Sequence, residues 1–141
     1  MRTLLLGSLL ALGTFGCSKS ESTTSASTES VQPKVAEVSV DQLDSAITKS
    51  EAQAVDANGD ATRKKLGVIP GAVLLTDSET FAAGELPADK TKSLVFYCAN
   101  TQCGASHEAA NKALAQGYKN VKVLPEGIAG WVKAGKQVQS I

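Results

Sequence analysis

Leu94 to Cys98 and Val121 to Leu124 are short apolar runs, and the alanine-rich stretch between them, from Ala105 to Gln116, has the composition of a helix that stops at Gly117. Two strands joined by a helix pair in parallel, because a parallel pair needs a crossover connection of about a dozen residues or more. A parallel sheet needs both faces covered, and its strands then read as continuous apolar runs rather than as alternations. These two runs therefore belong at the centre of an α/β fold, a mostly parallel central sheet with helices on both faces.

The remaining segments extend the pattern. Val35 to Val40 alternates apolar and polar residues as an edge strand does, and Asp41 to Lys49 sets Leu43, Ala46 and Ile47 on one helical face. Ala52 to Asp56 reads as a strand ending at the turn signal Asn58-Gly59, Ala61 to Leu66 as a helical turn, Gly67 to Gly71 as a loop and Ala72 to Leu75 as a strand. Thr76 to Ala83 is expected to form a short helix before the polar connection from Pro87 to Lys92, and a last helix is expected from Ile128 to Ala134. No internal repeat interrupts this run, which is assigned as one domain over residues 34–141.

Ahead of that domain, Met1-Arg2-Thr3 and the apolar stretch from Leu4 to Phe15 have the form of a secretory signal peptide, too short to span a bilayer. Its end, Gly13-Thr14-Phe15-Gly16-Cys17-Ser18, resembles a bacterial lipobox, although Thr14 and Phe15 depart from the usual leucine and small residue. The expectation is a signal segment over residues 1–16, lipidation of Cys17, and a Ser/Thr-rich tether over 17–33 with too little apolar surface to offset its ordering entropy. The alternative is ordinary cleavage that leaves Cys17 free. The protein would then face the periplasm, held to a membrane by its lipid only. Loss of the signal removes Arg2 and no acid, so the 14 basic and 14 acidic residues of the chain become thirteen and fourteen, which gives no reason to expect a nucleic-acid partner.

Chemistry is expected at Cys98. A strand, then the polar loop Ala99-Asn100-Thr101-Gln102-Cys103-Gly104, then a helix beginning at Ala105-Ser106-His107 puts a thiol where backbone N–H groups and a helix N-terminus converge. Such a setting lowers a cysteine pKa and favours the thiolate. The two cysteines, five positions apart, read either as a reactive thiol with a neighbour or as a disulfide staple. Position favours the former, since open α/β sheets bind their ligands at the carboxyl ends of strands.

Five segments in one order also resemble a known family. They are Val55-Asp56, Gly67-Val68-Ile69-Pro70-Gly71-Ala72, Val95-Phe96-Tyr97-Cys98, Gly117-Tyr118-Lys119-Asn120-Val121 and Gly127-Ile128-Ala129-Gly130-Trp131. From Val35 to Val138 the chain resembles a single-domain rhodanese, the sulfurtransferase fold. The resemblance implies that Cys98 is the nucleophile, that Ala99, Asn100, Thr101, Gln102, Gly104, Ala105 and Ser106 form the substrate loop, and that Asp56 fixes loops by hydrogen bonds. It implies a small sulfur donor and a thiol acceptor as partners and no cofactor.

The departures from the pattern bear on function. Val68 stands where the family usually has histidine, Ala57-Asn58 replaces a pair that usually ends in arginine, and Cys103 occupies the loop position of the family's arginine, in a loop about two residues longer than usual. The chain thus resembles a branch with a Cys-x-x-x-x-Cys-x-x-Ser loop. No arginine follows Arg63, which argues against cysteine-dependent phosphatase chemistry, where a guanidinium holds the phosphoryl group.

The leading reading is therefore transfer of sulfane sulfur through a Cys98 persulfide. The alternatives are a thiol-disulfide module using Cys98 with Cys103 as resolving thiol, or a catalytically silent binding domain. His107 is a candidate proton shuttle or an exposed helix-start residue, and Arg63 offers charge to an anionic donor or belongs to a solvated basic turn. Trp131 reads as packing. Two cysteines and a single histidine make no metal site, since structural zinc takes four protein ligands.

Overall fold

A computed structural model describes residues 34–141; the expected signal segment 1–16, the expected lipidation site Cys17 and the expected tether to residue 33 lie outside them. The elements run β1 (Ala36–Glu37), α1 (Val40–Thr48), β2 (Gln53–Asp56), α2 (Asp60–Leu66), β3 (Val73–Leu74), a 3-10 turn (Ala83–Glu85), β4 (Ser93–Tyr97), α3 (Ala105–Ala115), β5 (Asn120–Leu124) and α4 (Gly127–Lys133). The five strands form one sheet in the order β1-β5-β4-β2-β3, every pair parallel. β4 is the middle strand, paired from Ser93 to Tyr97 with β5 and from Leu94 to Tyr97 with β2.

Each face of the sheet carries its own core. Phe96, Leu94, Val55 and Val123 pack against Ala109, Ala110 and Ala113 of α3, whose small side chains allow close approach, and against Phe81 and Leu86. On the opposite face Tyr97, Val95, Ala54 and Leu124 meet Val40 and Leu43 of α1 and Ile128 and Trp131 of α4, with Leu66 of α2 packed alongside. This is the parallel sheet covered on both faces that the two apolar runs imply.

Three expected boundaries shift for identifiable reasons. Ser39 caps α1 through a capping box, its hydroxyl accepting from the Gln42 amide at 3.3 Å while the Gln42 side chain accepts from the Ser39 amide at 2.9 Å, so Val40 opens the helix instead of closing the edge strand. The helix expected from Thr76 to Ala83 does not form. Asp77 accepts from the amides of Glu79 and Thr80 at 2.9 and 2.7 Å, and Glu85 accepts from those of Thr76 and Ala82 at 2.8 Å each, a local network that competes with a helical ladder. The second edge is β3, two residues long, which its apolar sequence does not distinguish from a buried strand.

Candidate functional site

The chain leaves β2 for β3 on one side of the sheet and leaves β4 for β5 on the other, so the order of connection reverses between the adjacent strands β2 and β4. The two crossovers lie on opposite faces, α2 with one core and α3 with the other, which opens a crevice beyond the carboxyl ends of this strand pair. Cys98 directly follows β4 at that point. The Ala57 amide donates to the Tyr97 carbonyl at 2.9 Å, carrying the ladder one step past β2 and bringing its end alongside Cys98.

Cys98 is 1 % exposed. Its thiol donates to the Cys103 carbonyl at 3.1 Å, with the Asn100 carbonyl at 4.0 Å and the buried Ser106 hydroxyl at 3.3 Å. The loop is shaped by Asn100, whose side-chain oxygen accepts from the Gln102 amide at 3.0 Å and whose carbonyl accepts from the Cys103 amide at 3.1 Å. Asn100, Thr101 and Gln102 are exposed and form the rim, while Ala99, Cys103 and Ala105 are half-buried. Gly104 precedes α3 and receives the amides of His107 and Glu108 at 2.9 and 3.1 Å. Both loop cysteines are free thiols.

This arrangement corrects the expectation of a lowered thiol pKa. Two loop amides, those of Gln102 and Cys103, are used within the loop, and the sulfur faces a carbonyl rather than a ring of donors. Burial pushes the Cys98 thiol up, and the neighbouring Cys103 side chain adds to the rise. The hydroxyl and the amide of Ser106 oppose it, and the net direction is upward.

The loop is held from below by α4. The Ile128 amide donates to the Cys98 carbonyl at 2.8 Å and the Ala129 amide to the Ala99 carbonyl at 3.0 Å, so the orphan N–H groups of a helix start are satisfied by the backbone of the loop. Gly127 makes this approach possible. Its φ is +59°, and a Cβ there would lie 2.7 Å from the Ala99 carbonyl carbon and closer still to the Cys98 carbonyl oxygen. Sequence reading missed this support; its signal was the glycine after Pro125-Glu126, noticed only as part of a family segment.

Asp56 and Arg63 fall together, but in the scaffold. The Asp56 carboxylate, fully buried, accepts from the Asn58 amide at 2.6 Å and from Arg63 Nε at 3.3 Å. Arg63 also donates to the carbonyls of Asp56 and Leu75 at 3.2 and 2.7 Å and reaches Asp60 at 3.7 Å. It is neither a solvated turn residue nor a free charge for an anionic donor, because its guanidinium is buried and occupied. The Tyr97 phenol accepts from the Ile69 amide at 3.0 Å, and burial together with the nearby Asp56 charge pushes its pKa far above the usual range. Asn58 was read only as a turn signal, yet it is buried at the crevice end of β2, and its side-chain Nδ2 has no partner among the described residues. His107 is half-buried on the first turn of α3, with no hydrogen bond from its ring to the described residues. Trp131 packs in the core and donates from its indole to the Gln137 carbonyl at 2.7 Å. A groove of about 340 Å³ between α1, α4 and the segment after it, lined by Ile47, Ile69, Trp131 and Lys136, contains no residue of the Cys98 loop. The candidate site is therefore the loop, where the Cys98 thiol meets the Ser106 hydroxyl and the Cys103 carbonyl.

The model of the rhodanese-like domain family matches residues 39–134. No curated protein sequence matches the chain. Among solved structures, a protein from Bacillus halodurans aligns with a TM-score of 0.65 at 25 % identity, over 74 % of this chain and 77 % of that one. The rhodanese-like domain of an Anabaena protein gives 0.62 at 20 % identity, over 74 % and 79 %. A 3-mercaptopyruvate sulfotransferase from Escherichia coli gives 0.62 at 22 % identity, over 76 % of this chain and 51 % of that enzyme, so the domain spans about half of it.

Proposed function

Since the chain belongs to the rhodanese-like domain family, matched across residues 39–134, we propose that it transfers sulfane sulfur from a small donor to a thiol acceptor through a persulfide on Cys98. The observation that carries this reading is a buried thiol at the carboxyl end of the central strand, at the reversal of connection order, with the Ser106 hydroxyl 3.3 Å from its sulfur. In the first step the Cys98 thiolate attacks the outer sulfur of the donor, the donor's sulfur–sulfur bond breaks, and the rest of the donor leaves with the electron pair; from thiosulfate the leaving group is sulfite. In the second, an acceptor thiolate takes the outer sulfur and Cys98 departs as thiolate.

The side chain of Ser106 and its amide are the groups that face the sulfur and stabilise its anionic forms. Because burial favours the protonated thiol, charge must develop as the donor enters and excludes water, so donor binding and deprotonation are coupled. Asp56, Arg63 and Tyr97 keep the strand ends rigid beneath the loop, and Gly127 with Ile128 holds Cys98 from the side of α4. We place this activity at the periplasmic face of the envelope, with Cys17 as the lipid anchor. Loss of membrane association in a Cys17→Ser variant is the expected result, and unchanged association would overturn the anchor.

The reaction is tested with the full chain, thiosulfate and a thiol acceptor, reading sulfite release. Cys98→Ser should abolish release while leaving the circular dichroism and melting temperature close to those of the parent. Sulfite release by a folded Cys98→Ser protein would refute the assignment.

A further inference from the structure

We propose that Cys103 is a resolving thiol that discharges the Cys98 persulfide as hydrogen sulfide, so that the domain has a dithiol-dependent sulfide-releasing activity besides transfer. The step rests on the persulfide of the proposed function. Its geometric basis is the contact between the Cys98 sulfur and residue 103 itself: with the Cys103 carbonyl oxygen 3.1 Å away, covalent dimensions hold the Cys103 Cα within about 6 Å of that sulfur. The Cys103 side chain itself stands next to the Cys98 thiol, and bridging the two requires their Cα atoms to lie about 4.4–6.8 Å apart. Exchange at sulfur runs in line, so the outer sulfur leaves from the side of the Cys98 Sγ opposite the approaching Cys103 sulfur.

Charge supplies the reason for the step to run. Residues 99–106 contain no Lys, Arg or His, and the Cys98 sulfur is buried, so among the described residues the groups that favour an anion at that sulfur are the Ser106 hydroxyl and amide. An anion in a buried place without a countercharge is costly. Conversion to a neutral disulfide carries that charge out of the loop on the departing hydrosulfide, where water solvates it. Cys103 is half-exposed, so it meets a reductant that the buried Cys98 does not. The exposed segment Asn100–Gln102 and the exposed Gly104 give the loop little packing to oppose closure.

The balance is complete. The Cys103 sulfur attacks the Cys98 Sγ of the anionic persulfide, the bond between that Sγ and the outer sulfur breaks, and the outer sulfur leaves with the electron pair, takes up the Cys103 proton and departs as hydrosulfide, which a second proton from water converts to hydrogen sulfide. The two cysteine sulfurs are oxidised to a disulfide and the sulfane sulfur is reduced by two electrons. An external dithiol, becoming a disulfide itself, restores both thiols.

The test uses the reduced full chain carrying Cys17→Ser, so that only the loop thiols react, with and without Cys103→Ser. Thiosulfate is added with no acceptor thiol; sulfite, sulfide and the mass of the loop peptide are read. The parent should release one sulfite and one sulfide per chain, its loop peptide losing two hydrogens. Cys103→Ser should release sulfite alone and keep one additional sulfur on Cys98 until a dithiol is added. A second variant, Cys103→Ala, should do the same. Retention of the additional sulfur by the parent and the variants alike would overturn the role of Cys103 and leave the persulfide standing. Absence of sulfite and of added sulfur in all three folded proteins would overturn both readings.

Discussion

Gly127→Ala isolates the contact by which α4 holds the reactive loop. Two costs combine. Gly127 sits at φ +59°, where a side chain costs about 1–2 kcal/mol. The added Cβ would also overlap the Cys98 and Ala99 peptide, at 2.7 and 2.8 Å from the Ala99 carbonyl carbon and oxygen, and backbone cannot swing aside as a side-chain end can. Restoring ordinary contact moves the loop by about 1 Å, beyond hydrogen-bond range for the 2.8 and 3.0 Å bonds from Ile128 and Ala129. Losing those two bonds adds about 0.5–1.5 kcal/mol each. The total is about 2–5 kcal/mol, or a melting temperature lower by about 8–20 °C at about 4 °C per kcal/mol for a domain of this size. Gly135→Ala is the control: its φ of +73° carries the same backbone cost, but a Cβ there meets nothing within 4 Å. Differential scanning calorimetry of both variants, with sulfite release in parallel, separates overlap from strain. Gly127→Ala should also slow release by about 100-fold, the scale of a 1 Å misplacement in a reacting group. Equal losses in the two variants, or normal release from Gly127→Ala, would refute the claim that α4 positions Cys98.

Two further outcomes follow from buried charge. Arg63→Ala leaves the fully buried Asp56 carboxylate without its cationic partner and should cost about 3–5 kcal/mol in urea unfolding; a loss under about 1 kcal/mol would show that the pair does not brace the strand ends. Because the Cys98 thiol is pushed up by burial in the folded state, the stability it contributes is fully present below its unfolded pKa of about 8.5 and is lost as pH rises through the folded value. Site-resolved alkylation of Cys98 should therefore keep accelerating above about pH 8.5, and a rate that plateaus below neutrality would show a stabilised thiolate instead.

How much of this was legible in the sequence depended on whether a signal was periodic or positional. The central strands showed themselves as continuous apolar runs, and α3 as an alanine-rich stretch ending at Gly117, whose φ of +93° is what a glycine stop supplies. The location of the site followed from them, since a cysteine at the end of a central parallel strand can lie nowhere but at the carboxyl edge of the sheet. The segment from Thr76 to Glu85 was not legible, because two carboxylates take its amides one by one and no periodicity encodes that. Arg63 was misread for a related reason: next to Lys64 and Lys65 it looks like part of a solvated basic run, and only tertiary structure sets its guanidinium against Asp56.

In the loop, sequence reasoning brought together residues that do lie together but misjudged their electrostatics. Cys98, Ser106 and Cys103 do meet, yet the thiol proton is directed to a carbonyl and the Gln102 and Cys103 amides are turned inward to Asn100. A loop that withholds its amides and carries no cation is poorly suited to stabilise a multiply charged oxyanion, which needs several convergent donors or a guanidinium. It suits a reaction in which the bound intermediate adds a single sulfur atom and at most one charge. Under that constraint the intermediate's lifetime is set by whichever thiol reaches it first. If Cys103 resolves the persulfide as proposed, it competes with every acceptor from solution, and the ratio of sulfide released to sulfur transferred should rise as acceptor is diluted. An acceptor-independent ratio would mean that Cys103 never reaches the persulfide.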